Sequence, residues 1–155
     1  MKSGLYLFLL LLLATVGYSQ SDKIPKGANR IEVSTTLSDS ALFDMISFRL
    51  ESVGFFIEQS NLEKGYIITE YKNVNKPDTD PISIKVIVGI SSNKAVFRGQ
   101  GDAEVLGYKY TNVPLVYRGS GSGVEKSGFV SLTELVKKIS KTIGTSSINY
   151  LTGSN

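Results

Sequence analysis

Residues 82–105 read ISIKVIVGISSNKAVFRGQGDAEV, and their alternation decides the architecture. Ile82, Ile84, Val86, Val88 and Ile90 share one side of an extended chain, because successive side chains of a strand point to opposite faces. The four residues SSNK turn the chain back. Pairing Ile90 with Ala95 sets Val88 opposite Phe97, Val86 opposite Gly99, Ile84 opposite Gly101 and Ile82 opposite Ala103. Arg98, Gln100, Asp102 and Glu104 fall on the other side, so the pattern predicts a long hairpin with one wet face. Gly99 and Gly101 then stand on the apolar side, where there are two readings. Either a helix, the C-terminal one, lies closest to the sheet there because no Cβ keeps it away, or the glycines supply backbone freedom for a bulge.

On the N-terminal side, RIEVSTTL places Ile31, Val33, Thr35 and Leu37 on one face and reads as a half-buried strand. SDSALFDMISFRLESVG changes the period. Leu42, Ile46, Leu50 and Val53 line one helical stripe with Phe43 at its edge, Ser38 or Ser40 caps the start, and Gly54 supplies a left-handed end. Phe48 falls away from that stripe, as a flank contact or an exposed aromatic. FFIEQSNLEKGYIITEYK reads as a hairpin turning between Asn61 and Gly65, and NVNKPDTDP as a polar loop.

Towards the C-terminus, Ser131 and Glu134 form an S-x-x-E capping box with Val130 as its staple. The helix they start buries Leu132, Leu135, Val136, Ile139 and Ile143, keeps Lys137, Lys138 and Lys141 on its polar face, and ends at Gly144. The order is β-α-β-β-β-β-α. Two helices cannot cover both faces of five strands, so the expected fold is an α+β two-layer sandwich: a mostly antiparallel five-stranded sheet with two helices on one face.

The chain opens MKSGLYLFLLLLLATVGYSQ. Lys2 gives a positive start, and residues 5–16 are an apolar run of 12, short of the roughly 20 needed to span a bilayer. Gly17 and Ser19 are placed for cleavage between Ser19 and Gln20, so residues 1–19 read as a secretory signal peptide and the chain as secreted or periplasmic. Residues 20–29 read as a flexible tether, 30–144 as a single α+β domain, and 145–155 as a loosely held tail. No cysteine follows the apolar run, which excludes a lipid-anchored lipoprotein, and stability rests on packing without disulfides. No N-x-[ST] sequon occurs, in keeping with a bacterial envelope protein. Without Lys2 there are 16 basic and 14 acidic residues, a net charge of +2 (16 − 14), too weak and evenly spread for nucleic acid.

Gly54-Phe55, Ile57, Gly65, Ile67 and Thr69-Glu70 match a GF.I…G.I.TE passage that marks the first hairpin of a group of small envelope domains. With the order of elements over residues 30–104 and 128–144, the chain resembles the helix-grip domains of BamC-type outer-membrane assembly lipoproteins and similar uncharacterised secreted bacterial proteins. The resemblance implies a non-catalytic binding or scaffolding role and carries over no functional residue.

Chemistry is constrained by what is missing. Zero histidine removes the usual general base, zinc ligand and pH switch together. YRGSGSG, residues 117–123, matches neither nucleotide-binding glycine pattern and reads as a connector. Asp78 and Asp80 lack the other ligands of a calcium loop. Glu58, Glu70, Asp102 and Glu104 meet on the polar face only beside partners such as Lys85 and Arg98, so structural ion pairs are expected rather than paired acid–base carboxylates. A serine nucleophile would need lysine as its base, and SLTELVKK is accounted for by helix capping. The expectation is no enzyme, no cofactor and no metal.

The remaining segment, VLGYKYTNVPLVYRGSGSGVEK at 105–126, is too long for a simple connection. Tyr108, Tyr110 and Tyr117, interleaved with Lys109 and Arg118, suit a recognition loop, since tyrosine offers large amphipathic contact at low entropic cost. The alternative is a short extra hairpin with Tyr110 and Tyr117 packed against the sheet end. The leading functional reading is an exported, non-enzymatic domain contacting an envelope protein, peptide or glycan through the exposed sheet face or this segment. The second is a carrier of a small apolar ligand, with a pocket near Phe56, Phe97 and the two glycines.

Overall fold

The computed structural model describes residues 23–74, 81–119, 123–145 and 147–153. The expected signal peptide, tether residues 20–22, Asp78, Asp80 and residues 120–122 of the Gly/Ser tract lie outside them. The elements are β1 (Ala28–Ser34), α1 (Asp39–Ser52), β2 (Ile57–Asn61), β3 (Tyr66–Thr69), β4 (Lys72–Asn73), β5 (Ile82–Ser91), β6 (Lys94–Val105), β7 (Tyr108–Pro114), α2 (Val124–Ile143) and β8 (Ser147–Thr152). The fold is α+β, with both helices packed on one open, antiparallel sheet of eight strands. The strand order is β2-β3-β5-β6-β1-β8, with β4 beside β5 and β7 beside β6.

The long hairpin forms in the register that alternation dictates: Ile90 pairs with Ala95, Val88 with Phe97, Val86 with Gly99, Ile84 with Gly101 and Ile82 with Ala103. Its turn is tighter than SSNK. Ser91 pairs with Lys94, and Ser92 and Asn93 alone reverse the chain with φ of 54° and 60°. That mirror-image turn matches the twist of the strands but needs two left-handed residues. The cost is offset at the neighbouring helix start: Asp39 accepts hydrogen bonds from the N–H groups of Ser92 (3.0 Å) and Asn93 (2.7 Å), and the Asn93 amide donates to the Leu37 carbonyl.

Helix α1 buries Leu42, Ile46 and Leu50, one residue per turn, behind Ser38 as the N-cap. Val53, placed on the stripe by spacing, is exposed, and so is Phe48. The helix stops one residue before Val53 would turn inward. Gly54 (φ 82°) donates to Glu51 and Phe55 donates to Leu50, closing a Schellman motif that carries Phe55 into the core beside Leu50. Lys72 lies over the Phe55 ring at 5.0 Å and donates to the Val53 carbonyl, a cation where the helix dipole favours one. The first hairpin, β2–β3, turns at 62–65. Gly65 (φ 64°) donates to Leu62, and an added Cβ would collide with the Ile90 carbonyl, so only glycine fits there.

Three expectations need correction. Helix α2 begins at Val124, seven residues before the S-x-x-E box, so Ser131 and Glu134 lie inside it. Burial of Phe129 and the packing at Gly128 outweigh the cost of about 1 kcal/mol for a mid-helix glycine. The tail is no loose end: Ser147–Thr152 forms β8, pairing with β1 from Ser34/Ser147 to Ala28/Thr152. Nor do residues 24–29 trail. Ile24 packs on the core, Gly27 donates to the Tyr117 carbonyl at 2.7 Å, and Ala28 already belongs to β1. With β4 and β7, these additions turn five strands into eight, because backbone pairing recruits short segments whose side chains carry no alternation.

The glycine question is settled by a residue outside both helices. A Cβ on Gly99 would lie 2.7 Å from Leu115 Cδ1; one on Gly101 would lie 3.0 Å from Leu115 Cδ2 and 2.7 Å from Val124 Cγ2; one on Gly128 would lie 2.5 Å from Leu115 Cδ2. Leu115 is fully buried in a seat whose walls are three glycines, two on the sheet and one on α2. The helix itself reaches Gly101 through Val124, and at Gly99 Leu115 stands between helix and sheet.

Candidate functional site

The segment after the long hairpin is a second hairpin. β7 folds back on β6, pairing Val105 with Tyr108, Glu104 with Lys109, Ala103 with Tyr110, Gly101 with Val113 and Gln100 with Pro114. Thr111 and Asn112 together oppose Asp102, which makes a bulge. Asn112 takes the left-handed conformation (φ 55°), and its N–H donates to Asp102 Oδ1 at 2.7 Å. The bulge has a consequence for the side chains. It shifts the alternation so that Tyr108, Tyr110 and Val113 all share the face that carries Gly101, Ala103 and Val105.

A graded apolar strip results. Leu115 is plugged into the core and Val113 is half-buried, while Tyr110 is 47% exposed, Tyr108 71% and Leu106, at the tip, 94%. Helix α2 covers the buried end of the strip and leaves the far end open to water. Leu106 and Gly107 make the turn alone, with φ of 50° and 81°. Leucine is an unusual occupant. The left-handed conformation costs a residue with a Cβ roughly 1–2 kcal/mol, and asparagine or glycine normally takes this place.

The five residues singled out from sequence therefore divide. Tyr108, Lys109 and Tyr110 lie together on the outer part of the hairpin, with Lys109 on the opposite face from the tyrosines, across from Glu104. Tyr117 sits elsewhere: half-buried, it bridges to Ala28, its ring is 6.4 Å from Phe129, and Lys126 lies 5.7 Å over it. Arg118 is paired with Glu125 on the first turn of α2, and the carboxylate raises its pKa. Leu106 carries no signal in the sequence, because Leu-Gly between Val105 and Tyr108 is not one of the dipeptides that mark a two-residue hairpin turn.

On the wet face, Lys85 reaches Glu58 at 2.6 Å and lies 5.1 Å over the Tyr71 ring. Glu58 is half exposed, so this pair stabilises by no more than about 1 kcal/mol. The Tyr71 hydroxyl donates to Asn112 Oδ1 at 2.9 Å. Burial, then the nearby Asp102 carboxylate, push its pKa up to about 12. Glu70 and Glu104 are exposed. Among the described residues no group of three or more acidic side chains is placed to hold a metal ion. No helix among them is long and apolar enough to cross a membrane. The space that a carried ligand would need above Gly99 and Gly101 is filled by Leu115 and Val124, and Phe56 is 65% exposed.

A crystal structure described as a DUF4468 family protein from Bacteroides ovatus is similar in shape. The match has a TM-score of 0.40 at 10% sequence identity and covers 81% of this chain and 88% of that one. No family model matches the sequence. No curated protein matches it either.

Proposed function

We propose that this is an exported, non-enzymatic binding domain of the bacterial cell envelope that holds a macromolecular partner, a protein, peptide or glycan, through the tip of the β6–β7 hairpin. Leu106 carries the proposal. It combines two costs, an exposed apolar side chain and a left-handed backbone, at a position where asparagine would incur neither. Such a residue makes sense where a partner covers it. Tyr108 and Tyr110 continue its surface on one face, with Ala103 and Val105 beneath them. The reading takes the molecule as a two-layer sandwich with both helices on the apolar face, from which the hairpin projects. It agrees with the scaffolding role that the helix-grip resemblance implies. A sequence without histidine or cysteine, opening on a short apolar run with a small-residue exit, supports the non-enzymatic and exported parts.

The test uses the protein as cells process it, with Gln20 expected as its first residue. Immobilised wild type, L106N and the double variant Y108S/Y110S are challenged with envelope extract, and each variant's melting curve is recorded. Partner recovery is expected to drop about tenfold for each variant while both stay folded, the loss that 1.4 kcal/mol of contact would cause. Equal recovery by all three proteins overturns the proposal.

A further inference from the structure

One row of side chains crosses the wet face of the sheet. Ile68 on β3 pairs with Ile87 on β5, Ile87 pairs with Arg98 on β6, and Arg30 on β1 pairs with Leu151 on β8. β1 and β6 pair as far as Ile31 and Phe97, so the next step of that register sets Arg30 beside Arg98. Ile31 and Phe97 are buried, which turns both arginines to the opposite face. The row reads apolar, apolar, cation, cation, apolar over neighbouring strands, about 19 Å at the usual strand spacing. Like charges side by side on adjacent strands destabilise a sheet. Nothing among the described residues offsets this pair. Neither guanidinium has an ion-pair partner, although the sequence leads one to expect a partner for Arg98, and Arg30 Nε is shut off from water without a hydrogen bond.

The other charges of this face are already matched. Glu32 holds Lys94 at 3.2 Å, Glu58 holds Lys85 at 2.6 Å, Asp102 accepts from the Asn112 N–H, and Glu104 lies across from Lys109. Glu70, past the end of β3, has β5 between it and Arg98. What remains is a local pair of positive charges with half-buried Ile68, Ile87 and Leu151 as its shoulders. One row along, Gly89 lies between Tyr66 and Val96 in an unbroken ladder. Its φ is not positive and an added Cβ would meet nothing within 4 Å, so the fold itself does not call for glycine there. Where neither bulge nor bend is present, a glycine inside a strand marks a place that another chain approaches closely. We infer that this row is a second docking surface and that its occupant is an acidic segment of a protein partner. The segment's carboxylates pair with Arg30 and Arg98, and its apolar side chains cover the two isoleucines and Leu151. Arginine's planar fork suits two-point contact with a carboxylate. A membrane or a nucleic acid does not fit the pattern, since an extended negative surface would also lie against Glu32, Glu58 and Glu104.

The probes are a synthetic peptide that sets a pair of glutamates between leucines, its twin with glutamine in place of both, and vesicles rich in phosphatidylglycerol. Binding to the processed protein is read from amide NMR shifts and, for the peptides, from fluorescence anisotropy. The acidic peptide is expected to move the amide signals of β5, β6 and β1 around the row and to bind about tenfold or more tightly than its twin. R30Q and R98Q should each weaken that binding about tenfold, whereas K141Q on α2, an equal loss of charge, should leave it unchanged. Both arginine variants should melt no lower than wild type, because each removes one of two adjacent like charges, so a loss of binding is not a loss of fold. Equal binding of the twin, unchanged binding by R98Q, no binding of either peptide, or preference for the vesicles overturns the inference. It does not rest on the hairpin tip. Leu106, Tyr108 and Tyr110 are unaltered in these variants, so this result and the partner-recovery result vary independently.

Discussion

Strand β6 takes part in two hairpins that use the same device and treat it differently. At Ser92-Asn93 and at Leu106-Gly107 the chain reverses in two residues, both with positive φ. The first turn is braced: Asp39 holds both of its N–H groups, and the Asn93 carbonyl accepts from Thr35. The second carries a bare leucine at its tip. The first hairpin spends its turn on cohesion, tying the centre of the sheet to the start of α1. The second projects apolar surface from a strained turn, and its anchors lie away from the tip, at Leu115 and at the bulge that Tyr71 reaches through Asn112. Structure and exposure thus separate along a single strand, the N-terminal half of β6 serving the core and the C-terminal half offering surface.

The largest expected effect lies at the junction between the two halves. L115A should destabilise by about 3–5 kcal/mol, at the upper end for leucine truncation, because glycine walls have no side chains to collapse into the void. Urea unfolding measures it, and a loss below about 1 kcal/mol would mean that the seat is not closed. The turns should then respond with opposite signs. N93A is expected to cost about 2 kcal/mol, through alanine's aversion to the left-handed region and the loss of the amide's bond to Leu37. L106N is expected to stabilise by about 0.5–1 kcal/mol, since asparagine suits the conformation and no contact is lost. Both are read from denaturation midpoints. Two losses of equal size would erase the contrast between the hairpins.

The smallest effect concerns the stitch between Tyr71 and the β7 bulge. Tyr71 titrates at about 12 in the folded chain against 10 when free, so the folded state holds the proton more tightly. Its contribution is whole below pH 10 and is lost as pH rises through 12, because the unfolded chain releases the proton first. Stability should therefore fall across that window, and Y71F should flatten the fall. Phenolate absorbance during the titration should show one tyrosine ionising last, and Y71F should remove that component. An unchanged slope would detach Tyr71 from the bulge.

Much of the first hairpin was legible before any coordinates, and little of the second was. The period-two run in residues 82–105 dictates five side-chain pairs that the structure forms in that register. The stripes on both helices apart from Val53, Ser38 as one of two candidate caps, and the left-handed ends at Gly54 and Gly144 follow equally from spacing. Sequence offers β7 only as the alternative reading of residues 105–126, a short extra hairpin, because its bulge breaks the alternation and five of its seven residues in a row are exposed; of the two tyrosines that reading packs, Tyr117 is half-buried and Tyr110 stays largely in water. The start of α2 hides behind Ser127-Gly128, where local propensity and packing point opposite ways. β8 hides because a six-residue edge strand needs only a neighbour with open backbone. Of the residues proposed as a contact surface from composition, Tyr108 and Tyr110 lie together on the strip, while Tyr117 and Arg118 are occupied in joining the hairpin's end to α2.

Sequence alone determined which residues face inward along the long hairpin and along most of both helices, Val53 and the first turns of α2 excepted, since burial of apolar surface acts on a pattern the covalent chain already carries. It also determined the lack of histidine and cysteine chemistry. Tertiary structure alone decided what fills the space over Gly99 and Gly101, which short segments become strands, and which apolar residues stay in water. Those outcomes depend on contacts between positions far apart in the chain, such as Leu115 with Gly99, Gly101 and Gly128, and no local periodicity encodes a seat assembled from a strand and a helix around a residue that belongs to neither.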